Sequence, residues 1–285
     1  MRSKDLRPKV ITIVLILFML IGCQGRKAFL EPITTGNWYR PHVDTTWQWQ
    51  LSGKINTDYD VDLYDIDLFD TEAKLIDLLH QKGKKVICYF SAGSYEDWRE
   101  DRNTFDKDLL GKKLLGWKGE RWLDIRSEQL YPIMRNRLDL AVKKGCDGVE
   151  ADNVDGYANE TGFDLEASDQ LYYNQFLANE AHKRGLSIGL KNDIDQVNEL
   201  EPYFDFAINE QCHEYNECHI LRAFIHKKKP VFNAEYKQIY IDNIDNKRDQ
   251  MCSNALAKHF QTLVLPKALD DSFRISCKER APYLR

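Results

Sequence analysis

Residues 145–157 read GCDGVEADNVDGY, with four carboxylates, Asp147, Glu150, Asp152 and Asp155, set among small and apolar neighbours that fit a buried strand. An ionised carboxylate buried without a partner costs several kcal/mol, so it pairs, binds a cation or acts on a substrate. Strand alternation places Glu150 and Asp152 on one face, where like charges push one of the two toward the protonated form that a general acid needs. A second acid, Glu210, closes the run FDFAINE. Cleavage of a glycosidic bond needs one carboxylic acid to protonate the leaving oxygen and a second carboxylate as nucleophile or base, and Asp152 with Glu210 forms such a pair. The other strand-like runs end in the same kinds of residue: Trp47, Trp49 and Gln50; Asp65, Asp67 and Asp70; Tyr89, Ser91 and Glu96; Lys191, Asn192 and Asp193; Asn233, Glu235 and Tyr236. Amides and carboxylates bind hydroxyls, and aromatic faces cover the apolar faces of sugar rings. Asp70 and Asp193 each open a helix-like run and read better as helix caps. His213 and His219 receive no role. No His-x-His or His-Glu-x-x-His run occurs, so neither a metal nor a cofactor is expected.

These residues need a scaffold that gathers strand ends. Eight β-like runs supply it, at 46–51, 61–69, 85–90, 147–152, 186–191, 204–209, 230–236 and 262–266. Helix-like stretches at 71–83, 127–145 and 168–185 separate several of them, the last two opening on Ser followed directly by an acid and an amide and closing on Lys/Arg then Gly. Repeated βα units imply a parallel sheet, and the span 37–270 is close to the typical ~250 residues of a (β/α)8 barrel, whose site lies at the C-terminal strand ends. A doubly wound open sheet is the alternative, but no Gly-x-Gly-x-x-Gly turn follows the first strand. The connection 52–60 is too short for a normal helix. The stretch 91–126 is long for one connection, and its RWLDIR segment reads as an extra strand or a loop excursion.

The chain has 285 residues, 43% hydrophobic and 12% aromatic, with a net charge of −5. That supports one barrel domain and excludes an obvious nucleic-acid binder. At the front, MRSKDLRPK carries four basic residues against one acid and leads into the thirteen apolar residues VITIVLILFMLIG, the build of a signal peptide over 1–22. LIGC at 20–23 resembles a lipobox, which would make Cys23 an acylated anchor in the membrane, with 23–36 as tether and Gln24 favouring an outer membrane. The expected location is therefore the cell envelope, or outside the cell if the signal is simply cleaved. Six further cysteines permit three disulfides. Cys212 and Cys218 in CHEYNEC are expected to pair; a zinc site using them with His213 or His219 lacks a second matching pair. Cys88 and Cys146 read as core thiols, and residues 271–285 as a C-terminal tail that a Cys252–Cys277 bridge would pin.

The segments YDIDLFD, VICYFSAGSYEDW, WLDIR, GCDGVEADNVDGY, GLKND, NEQCHEYNEC and VFNAEY resemble, in order, the motif series of glycoside hydrolase family 114, the endo-α-1,4-polygalactosaminidases and spherulin-4-like proteins. Ala151 departs from the pattern, where Pro or another apolar residue is expected. The resemblance implies a TIM-type barrel that cuts α-1,4-linked galactosamine polymers, with Asp152 and Glu210 at the motif aspartate and glutamate, and with Asp67, Tyr89, Lys191, Asn192 and Glu235 lining subsites. De-acetylated galactosamine carries an ammonium group, so the partner is a cationic aminosugar polysaccharide that an acidic cleft attracts. Glu150 or Asp155 would then recognise the cation, and Trp49, with Trp47 and Tyr157, would stack on the sugars or belong to the core. The alternative function is a barrel that binds such a polysaccharide without cutting it.

Overall fold

The computed structural model describes residues 29–278. The signal segment, Cys23 and the end of the tail lie outside these residues. In chain order they form β1 (Trp47–Gln50), β2 (Leu63–Asp67), α1 (Ala73–Gln81), β3 (Lys85–Ser91), β4 (Ser94–Glu96), β5 (Leu110–Lys113), β6 (Glu120–Leu123), α2 (Leu130–Lys144) and β7 (Gly148–Asp152). There follow α3 (Ala167–Lys183), β8 (Ser187–Lys191), α4 (Val197–Leu200), β9 (Phe206–Glu210), α5 (Arg222–His226), β10 (Val231–Glu235), α6 (Gln238–Ile241), α7 (Lys247–Ala257), β11 (Gln261–Val264) and β12 (Ile275–Ser276). Among the described residues no helix is long and apolar enough to cross a membrane.

Each of the eight β-like runs forms a strand. They pair in parallel in the order β1-β2-β3-β7-β8-β9-β10-β11, and β12 adds antiparallel to β11. The two ends of this sheet meet through side chains and loops. The Trp47 indole donates to the Gln261 carbonyl at 2.8 Å, and the Leu51 N–H donates to the Leu269 carbonyl at 3.0 Å. This is a TIM-type barrel. Its alternation is strict: Tyr64, Ile66, Val149, Ala151, Ile188 and Leu190 pack outward under the helices, while Trp47, Trp49, Ile87, Phe206, Ile208 and Phe232 fill the interior. The inward rows that continue past this apolar plug toward the C-terminal ends are the ones that end in Asp152, Lys191 and Glu210.

Local chemistry explains the helix ends. α2 stops at Gly145, whose φ of 89° is open to glycine without a Cβ penalty. α3 begins two residues earlier than the Ser168 signal implied, with Asp169 accepting the Glu166 N–H at 3.0 Å. Between β3 and α2 the chain makes its excursion: β4, β6 and β5 form an antiparallel three-stranded sheet, with Arg121–Leu123 of the RWLDIR segment inside β6. It docks on the end of β7, where the Ala92 and Gly93 N–H groups donate to the Asp152 carbonyl at 2.8 and 3.0 Å. The approach is so close that a Cβ on Gly93 would sit 1.7 Å from the Asn153 carbonyl oxygen.

Three disulfides are present. Cys212–Cys218 and Cys252–Cys277 are the pairs expected from the sequence, the second tying α7 to the chain just after β12. Cys88 and Cys146, expected as separate core thiols, are also bonded, with a sequence separation of 58. Cys88 faces outward from β3, where the chain leaving α2 turns into β7. Closing a loop of that length is worth about 4 kcal/mol in a chain-entropy account. Replacing both cysteines with serine is therefore expected to lower stability by about 2–5 kcal/mol, read as a fall in the denaturant midpoint; an unchanged midpoint would refute a structural role for this bridge.

Candidate active site

Lys191 closes β8, the strand between β7 and β9, and its ammonium lies 3.1 Å from Glu150 Oε1, 3.0 Å from Asp152 Oδ1 and 3.3 Å from Glu210 Oε2. Burial opposes its charge, but the Asp152, Glu210 and Glu150 carboxylates outweigh burial and push the ammonium well above its ordinary range. The Trp49 ring lies beside it, 5.0 Å from the ammonium. Asp152 also accepts the Tyr89 hydroxyl at 3.1 Å and the Asn153 N–H at 2.6 Å. Glu210 accepts the Tyr236 hydroxyl at 2.6 Å. Burial first, then the neighbouring carboxylates, raises both tyrosines well above their ordinary pKa, so both remain donors.

The backbone turns sharply after each of these three residues. Asn153 has φ 60°, Asn192 φ 48° and Gln211 φ 65°, left-handed values that non-glycine residues adopt rarely and that gather at functional sites. Asn192 uses its place to accept the Glu210 N–H at 2.9 Å, fixing the end of β9 to that of β8.

Together these strand ends open into a cleft of about 530 Å³. It is lined by Trp49, Asp67, Tyr89, Asp152, Asp155, Lys191, Asn192 and Glu210, all expected from the sequence. Two expected residues lie elsewhere. Glu150 is wholly buried one rung below Asp152, against Lys191, so it cannot recognise a substrate cation. Glu235 stands on the opposite face of β10 from Tyr236: it accepts the His213 N–H at 2.8 Å and lies outside the lining. Tyr157 is likewise outside, and Trp47 belongs to the interior plug. Asp67 lines the wall but is engaged by Arg99 through two bonds of 2.9 and 2.6 Å. Asp70 is not a cap: the N-cap position of α1 is Glu72, and Asp70 lines the cleft. Asp193 occupies an N-cap position but makes no capping bond, taking the Asn174 amide at 2.8 Å instead. Cys212 and Cys218 are bonded to one another, so neither sulfur is a free thiolate for a metal.

Beneath Lys191, the Asp65 and Glu150 side chains meet in full burial. Burial raises both, Glu150 to about 7 against the pull of Lys191, and the Glu150 charge raises Asp65 further. Two buried carboxyl groups this close disfavour each other's charge, so the pair takes up protons more readily than free carboxylates do. The excursion was the part of the site that sequence reading missed. Arg99, Trp98, Trp117, Glu120 and Trp122 all line the cleft, and the available signal was compositional: three of the six tryptophans fall within 91–126.

A TIM-type barrel with a polar cleft at its C-terminal strand ends, holding two carboxylates on either side of one ammonium, has the build of a glycoside hydrolase. The chain matches the profile of glycoside-hydrolase family GH114 over residues 30–282 and belongs to that family. It is similar to the Ega3 protein of Aspergillus fumigatus, solved in complex with galactosamine, at 41% identity and a TM-score of 0.80, over 85% of this chain and 99% of that one. The glycoside hydrolase domain of PelA from Pseudomonas aeruginosa shares the fold at 13% identity and a TM-score of 0.64, over 81% of this chain and 98% of that one. A comparison with curated proteins gave no match.

The buried acids set the response to pH. Burial, the largest cause in each, raises Asp193 to about 8, Glu150, Glu120 and Glu235 to about 7, and Asp155 to about 6. The folded state holds protons there that the unfolded chain releases near pH 4, so this stabilisation is complete below that value and is lost as pH rises through about 6 to 8. Glu180 acts oppositely: burial resists, but hydrogen bonds from Lys183 and Arg184 hold it down to about 2, and its contribution disappears as pH falls from its unfolded value toward that figure. Thermal melts should give a maximum Tm in mildly acidic buffer and a decline toward pH 8.5, and Asp193→Asn should flatten the decline. A Tm that climbs between pH 6 and 8.5 would contradict this electrostatic account.

Proposed function

We propose that this enzyme is an exported glycoside hydrolase that cuts α-1,4-linked galactosamine polymers within the chain, with Asp152 as nucleophile and Glu210 as general acid. One observation carries the assignment: a single ammonium, Lys191, touches Asp152 at 3.0 Å and Glu210 at 3.3 Å, so those oxygens lie no farther apart than the two contacts laid end to end. That favours the ~5–5.5 Å separation of retaining enzymes over the ~6.5–9.5 Å that leaves room for a water in inverting ones. Asp152 is surrounded by donors only, Lys191, Tyr89 and the Asn153 N–H, which suits a group that must be charged to attack. Glu210 is the more exposed of the two, at 29% against 18%, and reaches farther into the groove.

The steps follow. Glu210 gives its proton to the glycosidic oxygen as the bond to C1 breaks, and an Asp152 oxygen bonds to C1, forming a glycosyl ester and releasing the first product. Glu210, now a carboxylate, takes a proton from water; the hydroxide bonds to C1, and Asp152 leaves as a carboxylate. The anomeric configuration is retained. Lys191 stays between the two throughout, and its charge is opposed by one carboxylate before the first step and by the other after it.

The substrate reading rests on charge and on the relative. Seven carboxylates line the cleft against three cations, Arg99, Lys191 and Lys267, which draws in an ammonium-bearing sugar, and Ega3 was solved with galactosamine bound. Three disulfides support an oxidising compartment. We extend this to a lipid anchor at Cys23, for which the expected result is that Cys23→Ser moves the protein from the membrane to the soluble fraction; retention in the membrane would argue for an anchor helix instead.

The catalytic roles can be tested on polygalactosamine and on an aryl galactosaminide with a good leaving group. Asp152→Asn should lose at least about 10³-fold in kcat/KM on both. Glu210→Gln should lose as much on the polymer but far less on the aryl substrate, which needs little help from an acid. Proton NMR should show the α anomer released first. Equal losses for Glu210→Gln on the two substrates would reverse the assignment, and a β product would exclude retention. A wild-type protein that binds the polymer and releases no reducing ends would leave only the binding role.

A further inference from the structure

The three-stranded excursion ends in an apolar edge that the catalytic pair does not need. Trp98 is 48% exposed, Trp117 49% and Leu115 90%, and all three line the cleft that holds Asp152 and Glu210. The remaining large exposed hydrophobic residues among the described ones, Phe29, Leu78, Val142, Tyr215 and Ile244, are outside the cleft lining. Single exposed apolar residues are normal, whereas a group of them on one wall of a groove marks a surface that something covers.

The edge is built rather than loose. The turn that carries Leu115 and Trp117 is closed by the Leu114 N–H donating to the Glu120 carbonyl at 3.0 Å and the Asp97 N–H to the Gly119 carbonyl at 3.2 Å. Gly119 lies directly against the neighbouring ring, for a Cβ there would stand 2.9 Å from Trp98. The Arg99 guanidinium sits 6.0 Å from the Trp98 ring and is itself held by Asp67 and Glu96, which fixes the base of the wall. Two half-exposed indoles thus stand on one wall of the cleft, which Glu120 also lines.

We infer that Trp98 and Trp117 form a second binding platform, which stacks sugar residues of the same aminosugar chain away from the bond being cut and makes the enzyme favour long chains over short ones. The inference rests on the substrate reading given above. Each indole offers a flat apolar face for the C–H side of a pyranose and a π-face for its ammonium. Continuity with the cleft identifies the occupant: a polymer lying across Asp152 and Glu210 runs onto this wall on leaving the strand ends. The catalytic pair stands on β7 and β9 while the platform stands on β4–β6, so the two are supported by different sheets.

The test compares kcat/KM for polygalactosamine with that for the shortest galactosamine oligomer the wild type cleaves, using the full chain and the Trp98→Ala/Trp117→Ala double variant. The expected result is a loss of about tenfold on the polymer, equivalent to about 1.4 kcal/mol, carried by KM, with less than a twofold change on the short oligomer. Trp98→Phe/Trp117→Phe should restore most of it, and the melting temperature should hold because both rings are half exposed. Equal losses on the two substrates, or no loss on either, would overturn the platform. If the wild type cuts neither substrate, the functional reading fails on its own. Retardation of the protein in a polygalactosamine-containing gel then decides the platform separately: it should be lost in the alanine variant and kept in the phenylalanine one, and retardation that is the same in all three would overturn the inference.

Discussion

A buried ammonium must be surrounded by charge of the opposite sign or it will not stay charged, and Lys191 meets that demand with three carboxylates at 3.0–3.3 Å. The rest of the site follows from it. β8 lies between β7 and β9, so a lysine at its inward tip reaches an acid on each neighbour. The register of β7 on β8 pairs Glu150 with Gly189, which lets Glu150 reach the ammonium from below while the next inward acid, Asp152, reaches it at the strand end. A sequence that changed Lys191 to an uncharged residue would leave three carboxyl groups crowded without a counter-ion, and their mutual repulsion would push all of them toward the neutral form.

The dyad beneath this cluster gives it a fixed floor. Asp65 and Glu150 lie wholly buried there, and burial together with the charge of neighbouring carboxylates raises both above the ordinary carboxylate range, so the group that faces Lys191 from below holds its proton more readily than a free acid. Asp152 and Glu210 stand above it at the cleft, each in contact with the same ammonium. The two tyrosines complete the arrangement, Tyr89 on one carboxylate and Tyr236 on the other, and the left-handed residues Asn153, Asn192 and Gln211 bend the chain sharply just past the strand ends.

Much of this was legible in the residues. Apolar β-like runs marked all eight barrel strands, and strand-end chemistry brought Asp152, Lys191 and Glu210 to one mouth. What alternation does not supply is depth: Glu150 shares a face with Asp152 but lies two residues lower, about 6.6 Å by strand rise, and that step separates a cleft residue from a buried counter-ion. For Glu235 the parity itself held the answer, because Phe232, Ala234 and Tyr236 occupy the inward row of β10, leaving the glutamate on the other face. The excursion had no periodicity to read, since its strands are three and four residues long and take their shape from contact with β7. Cys88–Cys146 was hidden for a related reason: its partners are neighbours only once β3 and β7 have paired.

That contact with β7 also limits how freely the enzyme can be rebuilt. Barrel enzymes invite the exchange of whole loops as interchangeable parts, each strand end serving as a socket. Here the socket is shared, because Gly93 rests against the carbonyl of Asn153, the residue that follows Asp152. A transplanted segment whose backbone entered the sheet a fraction of an ångström differently would press on the end of β7 that carries Asp152. The unit that can be moved between scaffolds is therefore the pair of strand ends with their joint, and a swap that takes the outer sheet alone carries a defect into the centre.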